Sequence, residues 1–282
     1  MSNSDNTPSL EQVVSLIDSL YPPKLKEEWD KVGLITGDPQ QPVERILIAL
    51  DPVAATVDQA IAEGVDLLFT HHPLYLRGTS FLPANDPKGA LVHRLIKNGC
   101  ALMNAHTNAD AAAEGVAQAL AERIGLQTNE PLVPSDDVQH PGLGRVGKLP
   151  EAISLRAFAQ QVAKALPGGP NGLLVGGDLE DLVQKVVVSG GSGDSFLGAA
   201  RAAGADVYVT ADLRHHPASE HLEGGKPYLI NASHWATESV WCEVAAKSLR
   251  REFAAANLAC EVKVSDLVTE PWTLWLPTTE SE

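Results

Sequence analysis

Three short patterns in the sequence combine histidine with histidine or with a carboxylate at a spacing that suits metal binding. They are the adjacent His71 and His72, His106 followed by Asp110, and His234 followed by Glu238. Imidazoles and carboxylates without thiolates suit Zn, Mn, Fe or Ni ions better than a structural, cysteine-rich zinc site. The patterns therefore predict a centre for divalent metal ions.

The His71-His72 pair offers a local reason to expect two ions. Pro73 follows the pair and favours extended backbone at His72. Successive side chains of an extended chain point in opposite directions, so two neighbouring ions would each take one imidazole. A bend after the preceding strand would defeat this argument, and a His-His pair can also be an ordinary polar turn.

The His234 and Glu238 pair has helical spacing. If the helix begins near Ser233, which can cap it, the imidazole and the carboxylate lie one turn apart on one face. A carboxylate between two ions about 3.5–4 Å apart offsets their mutual repulsion, and Glu238 is the candidate for that bridging role. The alternative is an exposed helix pair with no ligand.

Alternating apolar strands and amphipathic helices must position these side chains. Near-continuous apolar strands between helices predict an α/β fold with a mostly parallel sheet, covered on both faces. Ligands bind beyond the carboxyl ends of such strands, where the polar residues above are located. The strands are expected at 45–50, 66–70, 101–105, 185–188, 206–210, 228–231 and 261–264; the main helices at 10–20, 54–63, 89–98, 110–124, 155–166, 195–203 and 235–256.

A segment rich in Pro, Gly and Asp at 126–152 is interpreted as a connection between two lobes. A length of 282 residues suits about two domains of ~150 residues each. We expect a first α/β lobe made of residues 1–128 plus 229–282, and a second α/β lobe made of residues 129–228.

Two further clusters follow strands of the second block. Asp212, His215 and His216 come after the strand at 206–210; they are interpreted as pocket-lining catalytic residues that transfer protons, the alternative being a solvated turn. Gly190, Gly191 and Gly193 follow the strand at 185–188 and precede a helix. Such a loop is either a plain turn or a site for substrate phosphates.

Composition limits the partners and the compartment. The net charge of −15 and the absence of a basic run argue against direct nucleic-acid binding. No apolar stretch approaches the ~20 residues of a membrane span, and the polar N-terminal segment does not resemble a secretory signal. Three widely spaced cysteines in apolar runs indicate buried thiols, so a cytoplasmic location is expected.

Five segments, in this order, resemble a known family, the NGG-interacting-factor-three-like proteins, whose members often bear the name GTP cyclohydrolase I type 2 homologue. The segments are WDKVGL (29–34), DLLFTHHPL (66–74), NAHTNADAA (104–112), VTADLRHH (209–216) and NASHWATE (231–238). The resemblance implies two α/β lobes with mostly parallel or mixed sheets, a dinuclear metal site in the cleft between them, and a homohexamer. It implies as metal ligands His71, His72, Asp110, His234 and Glu238, with His106 as a further ligand or a neighbour of one.

Two functions from different classes are compatible with these residues. The first is a metal-dependent hydrolase that acts on a purine nucleotide or a related small molecule, with GTP as the substrate that the family name suggests. The second is a non-catalytic metal-binding protein that serves as a regulatory scaffold. An open coordination position would favour the enzyme, and a buried, fully ligated ion pair would favour the scaffold.

Overall fold

The computed structural model describes residues 6–137 and 139–276. Strands are numbered β1 to β13 in chain order: Gly33–Thr36, Arg45–Ala49, Leu67–Thr70, Ala101–Asn104, Gln127–Glu130, Val133–Pro134, Gly142–Leu143, Arg145–Ser154, Leu174–Gly176, Leu182–Ser192, Val207–Ala211, Tyr228–Ala232 and Glu261–Val264. Helices α1 to α10 are Leu10–Leu20, Ala54–Ala62, Pro87–Lys97, Thr107–Ala111, Val116–Arg123, Leu155–Ala165, Leu197–Ala202, His215–Glu223, His234–Glu238 and Val240–Ala255, with short 3-10 helices at Pro23–Leu25 and Asp194–Phe196.

The contacts divide the chain into two compact units. The first unit contains the described residues up to Ala119, the segment Ser135–Gly142 and residues Trp241–Thr269. The second contains Leu120–Pro134, Leu143–Val240 and the described residues from Glu270 onward. The chain re-enters the first unit at Trp241, later than the residue 229 expected from the sequence. The reason is that β12 is an interior strand of the second unit's sheet.

The first unit is built on a five-stranded sheet in the order β1-β4-β3-β2-β13. All neighbouring pairs are parallel except β1 with β4. The central strands β3 and β4 are buried along their whole length, which explains why they read as continuous apolar runs. Side chains along these strands alternate between the two faces of the sheet. One face packs against α2 and α3 through residues that include Leu47, Leu68 and Leu95.

The aromatic residues beneath the end of β3 belong to the same unit. Trp241 is fully buried, and its ring lies 5.3 Å from that of Tyr21 and 5.7 Å from that of Phe69, measured between centroids. The same indole lies 5.3 Å from the imidazole of His71. Aromatic packing of this kind fixes ring positions through large contact areas. The Trp241 ring thus packs against His71, the first residue after β3.

The second unit is built on a six-stranded mixed sheet in the order β5-β8-β10-β11-β12-β9. The pairs β10-β11 and β11-β12 are parallel, and the others are antiparallel. Helix α6 covers one face through Phe158 and Val162, which pack with Val186 and Val209. Tyr208 of β11 belongs to a separate cluster that contains Leu197 and Ala200 of α7. The predicted α/β class with mostly parallel or mixed sheets is confirmed.

Several sequence expectations were wrong in detail. The segment 126–152 is not a plain connection, because it contributes β5 and the long strand β8 to the second sheet. The long helix expected at 110–124 is two helices, α4 and α5. Ala112 ends α4 in extended backbone, and a side chain at Gly115 would meet the Ala109 carbonyl oxygen at 2.0 Å. The helix expected at 235–256 is likewise divided into α9 and α10.

Within residues 6–137 and 139–276, no helix has both the length and the apolar character needed to cross a bilayer.

Candidate metal centre

Three histidines of the first unit meet at the carboxyl edge of its parallel strands. His71 and His72 follow β3, and His106 follows β4, its neighbour in the sheet. The candidate ligand atoms of the three residues lie within 4.8 Å of one another. The ring centroids of His71 and His72 are each less than 6 Å from that of His106, at 5.2 and 5.6 Å. Strand ends have thus brought together three imidazoles from two separate sequence motifs.

The His71-His72 pair does not have the geometry expected from extended backbone. The chain bends at both residues, and the two ring centroids lie only 5.1 Å apart. The premise that the side chains point in opposite directions was therefore wrong. The pair alone gives no reason to prefer two ions over one.

Each imidazole of this group has its Nδ1 atom at hydrogen-bond distance from an oxygen that can only accept. The pairs are His71 with the Ala105 carbonyl at 2.9 Å, His72 with Asp51 Oδ1 at 2.7 Å, and His106 with Asp30 Oδ1 at 2.9 Å. The hydrogen must therefore be on Nδ1, and in a neutral ring the Nε2 atom keeps its lone pair. Histidines that ligate metals characteristically donate their other ring N–H to a carbonyl or carboxylate in this way.

Asp30 is a buried carboxylate that the chain has surrounded with donors. It is fully buried and accepts hydrogen bonds from the Thr107 amide at 3.0 Å, the Thr107 hydroxyl at 2.6 Å and the Lys31 amide at 2.7 Å. Burial raises the pKa of Asp30, but the hydrogen bonds from His106 and Thr107 outweigh burial and hold that pKa well below its ordinary value. Asp30 therefore stays ionised and fixes the orientation of the His106 ring.

Asp110 lies on α4, one turn after His106. Its Oδ1 atom is 3.7 Å from His71 Nε2, so a carboxylate oxygen stands near the imidazole group. The side chains of Asp110, His72 and His106 are 26%, 21% and 16% exposed, whereas that of His71 is fully buried. The group is thus supported from the protein interior at His71 and reachable by solvent at the other three side chains.

The second unit contains the other predicted pair, on the short helix α9. Ser233 caps this helix by accepting a hydrogen bond from the Ala236 amide. One turn then separates His234 from Glu238, and His234 Nε2 lies 3.0 Å from Glu238 Oε2. His234 Nδ1 is 2.6 Å from Asp212 Oδ2, so a hydrogen bond at Nδ1 orients this ring as it does the three above.

A close backbone approach shapes the space around this pair. Gly191, at the end of β10, has a φ of +64°, and a Cβ atom there would lie 2.2 Å from Glu238 Oε1 and 3.1 Å from His234 Nε2. The Gly191 amide donates to the Thr237 hydroxyl at 3.0 Å, and that hydroxyl donates to the His234 carbonyl at 2.9 Å. Glycine is therefore required here both for its backbone conformation and for the room it leaves beside two donor atoms.

The glycine segment is continuous with a strand rather than a separate loop, since β10 extends to Ser192. The Gly191 amide is bonded to Thr237, and the Gly193 amide donates to the Ala211 carbonyl at 3.1 Å. Both hydrogen-bond donors are satisfied within the protein. The interpretation of Gly190, Gly191 and Gly193 as a phosphate site stays a prediction.

The predicted catalytic residues occupy two different environments. Asp212 has a φ of +52° and contacts the His234 ring, so it orients a predicted ligand. His215 and His216 begin α8, are exposed, and have ring centroids 5.2 Å apart. Roles for these three residues in proton transfer stay predictions.

Sequence reasoning missed the partners that orient the rings. The sequence patterns did not single out Asp51 or Asp30 as hydrogen-bond partners of the imidazoles. A signal existed for Asp51, because it follows β2 as the histidines follow β3. Asp30 is 76 residues from His106 and lies outside any strand or helix, so its role could only be seen in the structure.

The fold is that of an α/β protein, and its described residues include groups of imidazoles and carboxylates that could hold a metal ion. Within that class the chain belongs to the Duf34/NIF3 (NGG1p interacting factor 3) family, whose model matches residues 8–271. The resemblance predicted from the sequence motifs is thereby confirmed.

Relatives and solved structures agree with this assignment. A Streptomyces coelicolor protein named GTP cyclohydrolase 1 type 2 homolog is 48% identical over 268 residues, which cover 94% of each chain. A Mycobacterium tuberculosis protein of the same name is 34% identical and is aligned over 94% of this chain and 97% of its own. The crystal structure of a Bacillus cereus protein related to NIF3 has a TM-score of 0.88 at 27% identity, covering 96% of this chain and 100% of its own.

The contact of Gly191 with Glu238 and His234 leads to a first prediction. In Gly191→Ala, the new Cβ must displace the Glu238 carboxylate, and the left-handed backbone adds strain of about 1 kcal/mol or more. We expect a lower unfolding midpoint in denaturant and a loss of divalent metal measured by mass spectrometry of the purified protein. Gly198→Ala is the matched control, because a Cβ at that helical position meets nothing within 4 Å. Equal stability and equal metal content in the two variants would contradict the predicted role of Gly191.

Proposed function

We propose that this protein binds divalent metal ions and uses them to hydrolyse a purine nucleotide or a related small molecule. The observation that carries the proposal is the shared orientation of four imidazoles. In His71, His72, His106 and His234 the Nδ1 atom faces an acceptor, which directs the Nε2 lone pair toward a ligand. Carboxylates near these rings supply the negative charge that favours a cation.

For the stoichiometry we propose two ions per chain. The ligand set is the one predicted from the motifs, with His106 as an additional ligand or a neighbour of one; it consists of His71, His72, Asp110, His234 and Glu238. Glu238 would serve both ions through its two oxygens. Its side chain is only 5% exposed, and an ionised carboxylate at such a position is stabilised by nearby cations. Nitrogen and oxygen donors of this kind suit Zn, Mn, Fe or Ni.

Metal content tests this ligand assignment. Protein purified without a polyhistidine tag should contain up to two divalent ions per chain. Glu238→Gln removes the negative charge of the bridging group, so the metal content should fall at both positions rather than by half. The control is Glu223→Gln, which changes an exposed glutamate at the end of α8. Full occupancy in Glu238→Gln would contradict the bridging role.

The accessibility of the first unit's group favours a reaction over a purely structural ion. His72, His106 and Asp110 are partly exposed, which leaves room for water or substrate beside them. A bound divalent ion supplies Lewis acidity and lowers the pKa of water toward ~7. The chain's own contribution is to orient the donors and, at His215 or His216, to move protons. The name of the relatives points to GTP as the first substrate to test.

Turnover separates the hydrolase from the alternative. Metal-loaded protein should open the imidazole ring of GTP or hydrolyse another compound in a panel of nucleotides, pterins and phosphoesters. His215→Ala should lower kcat by ~10²–10⁴-fold while metal content is retained, as expected for loss of a general acid or base. His71→Ala should lose metal and turnover together, and the exposed His93→Ala serves as the control.

Other outcomes of this experiment are equally decisive. Loss of metal in His215→Ala would mean that this residue is a ligand rather than a proton carrier. If no compound of the panel is turned over in a metal-dependent way, the non-catalytic regulatory scaffold becomes the better proposal.

We further propose that the protein assembles as a homohexamer in a reducing cytoplasm, without direct contact to nucleic acid or membrane. The hexamer is supported by the family resemblance, and the compartment by three cysteines that form no disulfide. Light scattering should give a mass near six times the 29.9 kDa of one chain. A monomer at micromolar concentration would refute the assembly.

A further inference from the structure

Trp29 is one of three tryptophans with exposed side chains, together with Trp272 and Trp275. Trp241 is by contrast fully buried. The Trp29 side chain is 57% exposed although its ring lies close to the imidazole group.

The backbone that carries Trp29 is held in place on both sides of the ring. Before it, the Glu27 amide donates to the Thr107 hydroxyl at 2.9 Å. After it, Asp30 is fully buried and bonded to His106 and Thr107. The Asp30 amide also donates to the Glu27 carbonyl at 3.0 Å, which closes a short turn around Trp29. The exposed ring is therefore displayed from an anchored backbone.

The Trp29 ring contacts the imidazole of His106, one of the candidate ligands. The centroids of Trp29 and His106 are 5.9 Å apart, with an angle of 81° between the ring planes. An edge-to-face contact of this kind leaves most of the indole surface open. His106 belongs to the group of three histidines whose candidate ligand atoms lie within 4.8 Å of one another. One ligand can therefore contact that group and stack on Trp29 at the same time.

The surroundings favour a small aromatic ligand over a protein partner. Glu27, Glu28 and Lys31, next to Trp29 in sequence, are exposed and charged. Within residues 23–36, Trp29 is the one exposed large hydrophobic side chain. A protein interface usually presents several apolar side chains in one patch. A single rigid indole among charged residues is instead suited to stack on one flat ring, and every base has such a π-face.

We propose that Trp29 is a stacking platform for the planar heteroaromatic ring of a ligand, such as a purine or a pterin, whose reacting end reaches the His71, His72 and His106 group. The proposal rests on the proposed function for the reaction at that group. It assigns recognition of the ring to a residue outside the ligand set. Trp29 contributes affinity for the ring and no ligand atom to the metal.

Binding measured by calorimetry tests this assignment without requiring turnover. The metal-loaded protein is titrated with GTP, ATP and neopterin, which carry a planar ring, and with tripolyphosphate, which carries none. In Trp29→Ala the affinity for the ring-bearing probes should fall by roughly 5- to 150-fold, the range for loss of one aromatic stacking contact. Affinity for tripolyphosphate should be unchanged. Trp29→Phe should retain most of the affinity.

The controls separate stacking from folding and assembly. Trp272→Ala removes another exposed indole, 64% accessible, in the second unit, and should bind all probes like the original protein. Metal content and mass by light scattering should be unchanged in Trp29→Ala. A change in mass would show that Trp29 belongs to a subunit interface and would overturn the proposal.

Two further results would also overturn it. One is equal loss of affinity for tripolyphosphate and for the ring-bearing probes; the other is failure of the metal-loaded protein to bind any ring-bearing probe. In the latter case the metal proposal would stand. Conversely, ring binding that depends on Trp29 in a protein that holds no metal would support the stacking platform and refute the proposed function.

Discussion

The organisation of the candidate centre depends on one repeated interaction, the hydrogen bond from histidine Nδ1 to an oxygen that can only accept. An imidazole alone can rotate and can carry its proton on either nitrogen. Once Nδ1–H donates to a carbonyl or carboxylate, the ring orientation and the position of the Nε2 lone pair are both determined. The acceptors at His71, His72, His106 and His234 come from different parts of the chain. The fold positions the acceptors, and the acceptors position the rings.

Three of these acceptors are carboxylates. The free-energy cost of burying a carboxylate explains much of the structure around them. A buried carboxylate without partners is strongly destabilised, so it must gain donors or become protonated. Asp30 gains donors from Thr107 and Lys31 in addition to His106, which keeps its pKa low despite burial. Asp51 is partly exposed and also contacts the Thr269 hydroxyl. Carboxylates held beside the imidazoles would favour a divalent cation at this position.

Local sequence signals predicted the parts of the fold that depend on apolar burial. The strand Glu261–Val264 was predicted with its observed bounds, and the buried strands β2, β3 and β4 were predicted to within about a residue at either end. Strand β8 was missed because it contains Pro150 and most of it lies in a segment rich in Pro, Gly and Asp. The break between α4 and α5 was missed because the segment is rich in alanine throughout. At the interruption Ala112 is extended, and Gly115 approaches the Ala109 carbonyl too closely for a side chain.

The features of the candidate site also separate into those that the sequence could predict and those that it could not. The histidines and their carboxylates could be found from spacing, because each motif follows a strand whose carboxyl end lies at one edge of a sheet. Their relative orientation could not, since the bend at His71 and His72 reverses the geometry that extended backbone would give. Residues that act over long sequence separations, such as Asp30 on His106, carry no periodic signal. They become visible only when tertiary contacts are known.

The segment around Asp30 shows how orientation of a ligand and recognition of a substrate can be linked physically. Asp30 turns inward to hold the His106 ring, and this contact fixes the adjacent backbone from which Trp29 projects toward solvent. Two adjacent residues of an irregular segment thus contact the same imidazole, Asp30 at Nδ1 and Trp29 through its ring. The inward carboxylate sets the direction of the lone pair, and the outward indole offers a surface for a flat ring. Because both depend on the same hydrogen bonds to Thr107, the geometry of the candidate ligand and that of the recognition surface are fixed together rather than independently.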